Sequence, residues 1–179
     1  MPLEMQILTQ VLGIVAMALG VMSFQAKSGG RILVWQLAAN CFWCTHYFLL
    51  NAYTGAVLNI LAFARNTLYY FIGKKNADKL NHVAVGFCVL SIAVSLVTYQ
   101  NWLSLLPMFG TAVQTFSFAV KSANKMRLFT LLASPFWLTY NVMAGSITGA
   151  VTETFAICSI IVGMIRYRNK EESVDSKKE

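Results

Sequence analysis

Charge is the scarcest thing in this sequence. Only 12% of its 179 residues are Asp, Glu, Lys or Arg, while 57% are hydrophobic; soluble globular proteins carry roughly 25% charged residues. A water-soluble fold of this size is therefore excluded, because much of that apolar surface would face water. Proline is scarce as well, with three in the chain and only Pro107 and Pro135 inside apolar blocks. The first apolar block has no positively charged segment before it, since the first charge is Glu4. It reads as a retained helix and not as a secretory signal. Catalytic signatures are missing too: there is no phosphate loop, nucleophile elbow, two-His metal motif or carboxylate pair. Neither an enzyme nor a cofactor is expected. The four cysteines (Cys41, Cys44, Cys88, Cys158) all fall in apolar blocks. Cys41-x-x-Cys44 is half of a zinc motif without a second pair, so the four are read as small buried hydrophobes.

What the sequence does have is apolar blocks of membrane-spanning length. Spans at Ile7–Phe24, Ile32–Leu50, Tyr53–Ile72, Val83–Tyr99, Trp102–Phe118, Leu128–Ala144 and Ile147–Ile165 predict an all-α polytopic membrane protein of seven transmembrane helices. Alternate connections then hold Lys27 and Arg31; Lys74, Lys75 and Lys79; Lys121, Lys125 and Arg127; and a tail with Arg166, Arg168, Lys170, Lys177 and Lys178. The other connections hold no Lys or Arg. By the positive-inside rule the N-terminus is outside and the C-terminus cytoplasmic. The net charge of +7 is thus a topology signal and not a nucleic-acid footprint.

The chain also repeats itself. An offset of 94 residues aligns Ser23–Phe71 with Ser117–Ile165 without a gap, and 14 of the 49 pairs are identical. Ser23-Phe24-x-x-Lys27-Ser28 meets Ser117-Phe118-x-x-Lys121-Ser122, and Phe42-Trp43-x-Thr45 meets Phe136-Trp137-x-Thr139. Thr54-Gly55-Ala56-Val57 meets Thr148-Gly149-Ala150-Val151. Further upstream the offset sets Gly13 against Pro107, two residues that weaken a helix. Each unit has three spans, so one additional helix, Val83–Tyr99, is needed for the two units to run parallel. The expected organisation is a first three-helix unit over 1–80, an inversion helix over 81–100, a second unit over 101–166 and a disordered cytoplasmic tail over 167–179.

This 3+1+3 plan resembles the SWEET and PQ-loop transporters, whose halves are parallel repeats. The Ser23-Phe24-Gln25 run, Lys27-Ser28, Trp43-x-x-His46-Tyr47 and Tyr53-Thr54-Gly55-Ala56 are more similar to the YgjV-type bacterial inner-membrane family, over nearly the whole chain short of the tail. That resemblance implies an inner-membrane location and brings no activity with it. Two departures from the looser relatives stand out. The Pro-Gln pair is Phe24-Gln25 in one unit and Phe118-Ala119 in the other, and four symmetric gating prolines are missing. The paired asparagines of SWEET pockets match Asn59 in position, with Glu153 as its partner here.

Glu153 is the one acidic residue inside a span. A lone carboxylate in hydrocarbon must face a cavity or a partner, or be protonated. It either binds a solute or a proton, or fixes helix packing. Asn59 shares a stripe with Gly55, Ala62 and Asn66, and Gly149, Glu153 and Ala156 form the equivalent stripe; each lines a cavity or serves as a packing seam. Trp43 and Trp137 occupy matched positions and either flank a flat ligand or pack. Arg65 is a candidate for gating or coupling or for direct substrate contact, with snorkelling or pairing to Glu153 or a helix-end carbonyl as its structural alternatives. His46 and Tyr140, paired by the repeat near the outer ends of the second helices, are candidates for an outer gate or for simple hydrogen bonding; His82 is read as solvated.

Two readings follow. The first is a small-solute transporter or facilitator with a central site built on Asn59 and Glu153, its solute a sugar, an amino acid or similar. The second is a non-transporting membrane protein whose polar residues fix packing and whose cytoplasmic face binds a partner or anionic lipid. The bilayer is the expected partner of both, nucleic acid is not, and a homo-oligomer is compatible with either.

Overall fold

A computed structural model describes residues 3–75, 79–120 and 122–175, and leaves aside the side chains of 73–75 and 168–175. Seven α-helices occupy the described residues: α1 (Leu3–Ser23), α2 (Gly29–Leu49), α3 (Tyr53–Lys75), α4 (Lys79–Val97), α5 (Leu105–Ala119), α6 (Ala123–Met143) and α7 (Ile147–Asp175). A single 3-10 turn, Trp102–Ser104, leads into α5. No strand occurs among the described residues. Of the basic residues counted for topology, the side chains of Lys74, Lys75, Lys121, Arg168, Lys170, Lys177 and Lys178 lie outside the described residues.

Two tight turns show how local sequence dictates the path. Asn51 (φ 56°) and Gly145 (φ 72°) adopt the left-handed conformation after α2 and α6, which only glycine and, less readily, asparagine tolerate well. The Ala52 N–H then donates to Tyr47 O at 2.9 Å, and the Ser146 N–H to Asn141 O at 2.9 Å. These Schellman bonds satisfy the last helical carbonyls and reverse the chain within two residues. Ser146 at once starts α7, because its Oγ accepts from the Gly149 N–H at 3.1 Å. That is an N-cap bond to the third helical residue.

Six of the helices close a ring in the order α1, α2, α3, α5, α6, α7, with α1 packed back on α7. Helix α4 lies outside the ring against α3 and α5. The pattern of burial is that of a membrane protein. Buried residues are as often polar or charged as apolar, whereas Ile7, Val11, Ile14, Val85, Val89 and Leu96 face outward. Helices Leu3–Ser23, Lys79–Val97 and Ile147–Tyr167 are each long and apolar enough to cross a bilayer. Helices α2, α3 and α6 have the length but carry more polar residues, of which Asn40, His46, Asn59, Asn66, Ser134 and Asn141 are turned inward.

Several expectations need correction. The helix begun at Ile147 does not give way to a disordered tail at 167 but continues to Asp175; Glu, Lys and Arg are good helix formers. Cys41 and Cys158 are exposed on the outside of the bundle, and Cys44 and Cys88 are half-buried. The four are free thiols and not core residues. Among the described residues no group of three or more His, Cys, Asp or Glu side chains could hold a metal. Pro107 does not weaken α5, because it sits in the first turn, where a missing N–H has no helical acceptor.

Candidate functional site

The ring encloses a cavity of about 70 Å³. A water needs roughly 10–15 Å³ by this kind of measure, so there is room for several waters or a small solute. Apolar clusters pack on either side of it. Tyr47, Ala52, Ala56, Trp137 and Tyr140 lie towards the α2–α3 and α6–α7 turns. Ile32, Leu33, Tyr69, Phe118 and Met126 lie towards the basic connections.

Polar groups line the space between. Glu153 and Asn59 each sit six residues into their helices, about 9 Å from the turn end, and both face the cavity. Asn59 Nδ2 donates to Gly55 O at 2.9 Å, which leaves its carbonyl oxygen for the cavity. The Ser134 hydroxyl, which donates to Thr130 O at 3.3 Å, lines the same wall as Glu153. Asn40, Gln36, Gln114, Thr130 and Thr152 complete the polar wall. Asn40 is buried, and its Nδ2 has no hydrogen-bond acceptor.

An aromatic wall stands at the turn end. Trp43 and Trp137 both line the cavity, yet they leave no open slot, because the Tyr47 ring lies between them. Tyr47 stacks on Trp43 at 5.6 Å and on Trp137 at 6.3 Å. Its hydroxyl crosses the ring to donate to Asn141 Oδ1 at 2.7 Å. The Tyr140 ring tilts against Tyr47 at 6.1 Å and packs over Gly55 at 3.2 Å from where a Cβ would be.

His46 stands behind that wall, fully buried. Its Nδ1 is 2.9 Å from Thr9 O and its Nε2 is 2.9 Å from Ser146 Oγ. A carbonyl can only accept, so Nδ1 carries the proton and Nε2 of the neutral ring accepts from Ser146. One hydroxyl thus caps α7 and holds the ring that ties α2 to α1. Ser146→Ala is expected to cost about 1–3 kcal/mol, read as a lower thermal midpoint in detergent. A wild-type midpoint would show that the hydroxyl carries neither role.

Arg65 is buried but is absent from the cavity lining. Its Nη1 donates to Thr115 Oγ1 at 2.9 Å and its Nε to Asn66 Oδ1 at 3.1 Å. The guanidinium also lies 5.2 Å from the Phe118 ring centroid. These bonds join α3 to α5 and do not reach Glu153, and the buried side chain does not snorkel to the interface. Its position in the other seam is taken by Ser159, whose hydroxyl donates to Val21 O at 3.0 Å and accepts from Gln25 Nε2 at 2.8 Å.

Sequence reasoning missed Asn40, Gln36, Ser134 and Thr130. The signal was available: two polar residues four apart in one span, matched by two more at the 94-residue offset. It also missed Tyr47 and Asn141 as a tie across the ring.

Compared with known proteins, the chain matches the bacterial inner membrane protein family Imp-YgjV over residues 7–171. The chain belongs to the Imp-YgjV family. This Imp-YgjV chain is 25% identical over 169 residues to the inner membrane protein YgjV of Escherichia coli (strain K12), covering 94% of this chain and 89% of that one. The matched span takes in the residues of the cavity wall. No solved structure matches the Imp-YgjV fold described here.

Proposed function

We propose that the protein is a small-solute carrier or facilitator, built as two parallel three-helix units, α1–α3 and α5–α7, with α4 as the inversion helix. The observation that carries this reading is the composition of the cavity wall. Gly20 and Gln114, Gln36 and Thr130, Asn40 and Ser134, Trp43 and Trp137, Tyr47 and Asn141, and Asn59 and Glu153 all line it, and the members of each pair are 94 residues apart. A cavity furnished by matched positions of two units lies where such units would rock against each other, as parallel-repeat transporters do. The helix contacts support the same plan, since α1 on α7 is exchanged for α5 on α3 by the offset. So do the left-handed turn residues, Asn51 and Gly145, also 94 apart.

In this reading Asn59 and Glu153 bind the solute at mid-depth. Trp43, Tyr47 and Trp137, backed by Tyr140 and His46, form the gate at the turn end, and Arg65 holds the α3–α5 seam during rocking. The exposed Lys27, Arg31, Lys79 and Lys125 lie in or beside the connections opposite the α2–α3 and α6–α7 turns, and the exposed Arg166 lies within α7 beyond its apolar part. That side would be cytoplasmic, which leaves the N-terminus periplasmic.

The test is solvent access at Glu153. A single cysteine at position 153, in a background lacking Cys41, Cys44, Cys88 and Cys158, is expected to react with a membrane-impermeant thiol reagent in cells or in inverted vesicles. Protein that is folded and inserted but reacts from neither face would sink the carrier reading and leave a packing scaffold.

A further inference from the structure

A carboxylate in a low-dielectric wall needs a positive charge or a proton opposite it. Among the described residues lining the cavity, Glu153 is the only charged one. Both buried arginines are engaged elsewhere: Arg65 on Thr115 and Asn66, Arg127 on the carbonyls of Phe24 and Ala26. The protein thus offers Glu153 hydroxyl and amide neighbours but no cation.

Asn40 supplies an independent observation. It is 6% exposed and lines the same cavity, and its Nδ2 lacks an acceptor. A buried amide donor left unpaired is costly in a folded protein, and in the cavity wall this donor is joined by the unpaired Trp137 Nε1. Across the wall Asn59 has committed its amide nitrogen to Gly55 O and presents its oxygen. The set therefore calls for positive charge and N–H donors towards Glu153 and Asn59, and for an acceptor towards Asn40.

We infer that the cavity takes a small protonated amine that carries a hydroxyl or carbonyl oxygen a few bonds from its nitrogen, an amino-alcohol-like cation. The ammonium faces Glu153 and Asn59, and its oxygen accepts from Asn40. This rests on the carrier reading and names the solute class for the same site. An uncharged polyol would leave the carboxylate to be neutralised by a proton alone, and an anion would be repelled.

The test places the reporter beside Glu153 and keeps the carboxylate. Ser134→Cys in the cysteine-less background is treated with a cationic and an anionic methanethiosulfonate, each rate normalised to that with a free thiol. The cationic reagent is expected to react about tenfold faster. The preference should vanish in Glu153→Gln and persist in Glu153→Asp, which also shows that an acidic variant of the site folds. Ethanolamine, and not ethylene glycol, should slow the reaction. Equal rates for the two reagents, a preference that survives Glu153→Gln, or equal protection by the two solutes would overturn the cationic class while leaving a water-filled carrier site. Failure of both reagents to react from either face would overturn the carrier reading and this inference with it.

Discussion

Arg127→Leu is expected to destabilise the protein by about 2–6 kcal/mol, because a buried acceptor left unpaired costs about 1–3 kcal/mol and two carbonyls lose their donor. The side chain is completely buried. Its Nε donates to Phe24 O at 3.1 Å, its Nη2 to Ala26 O at 2.7 Å and its Nη1 to Asn124 Oδ1 at 2.7 Å. The guanidinium lies 5.0 Å from the Tyr167 ring centroid. Helix α1 ends at Ser23, so the carbonyls that follow have no helical donor. Arg127 supplies two of those donors, together with positive charge at the negative end of α1. Leucine would leave both oxygens without this donor, that of Phe24 buried and that of Ala26 partly so. Lysine should recover only part of the loss, because one ammonium cannot reproduce the planar fork that reaches two carbonyls and an amide. Thermal unfolding in mild detergent is the measurement, with the order wild type, Lys, Leu expected. A leucine variant that melts with the wild type would refute the capping role.

Gly149→Ala should be the most damaging change in either Thr-Gly-Ala-Val motif. A Cβ there would be driven into the Asn141 carboxamide and Ser146 Oγ. Both groups are committed: Asn141 accepts the Tyr47 hydroxyl, and Ser146 caps α7 and meets His46. Overpacking of this kind costs about 1–3 kcal/mol, and here it also breaks the tie between α2 and α6. At the matched Gly55 a Cβ would meet Tyr140 and Tyr47 ring atoms at 3.2 Å, which a small ring shift relieves. The expected result is a larger drop in thermal midpoint for Gly149→Ala than for Gly55→Ala. It should come with faster labelling of a cavity cysteine from the turn end. A larger effect at Gly55, or unchanged labelling, would show that the Tyr47–Asn141 bond does not close that end.

These two sites also mark the limits of reading the chain by eye. The apolar blocks located all seven helices, because in a bilayer length and hydropathy are direct physical requirements. The 94-residue offset in the sequence pointed to Asn59, Glu153, Trp43 and Trp137, and all four line the cavity. The motif glycines were visible as a pattern, but their reason is spatial: each backs onto the residue eight positions earlier, Tyr47 or Asn141. Arg127 looked like one more basic residue at a membrane interface, since its acceptors lie about a hundred residues away. Arg65 was considered as a partner for Glu153, and only the packing of α3 on α5 directs it to Thr115. The helical run to Asp175 was hidden by composition, because charged residues suit an exposed helix as well as a loose tail.

The matched positions of the cavity wall carry one more consequence. A chamber assembled from two identical halves would present the same face twice, and anything inside could be turned end for end without cost. Here Asn59 stands opposite in rank to Glu153, Tyr47 to Asn141, Gly20 to Gln114 and Asn40 to Ser134. Among the lining residues acid and phenol are each present on one side only, and no amide is matched by another amide. Whatever sits in this chamber is told its head from its tail, a distinction that two interchangeable copies of a single half could not make.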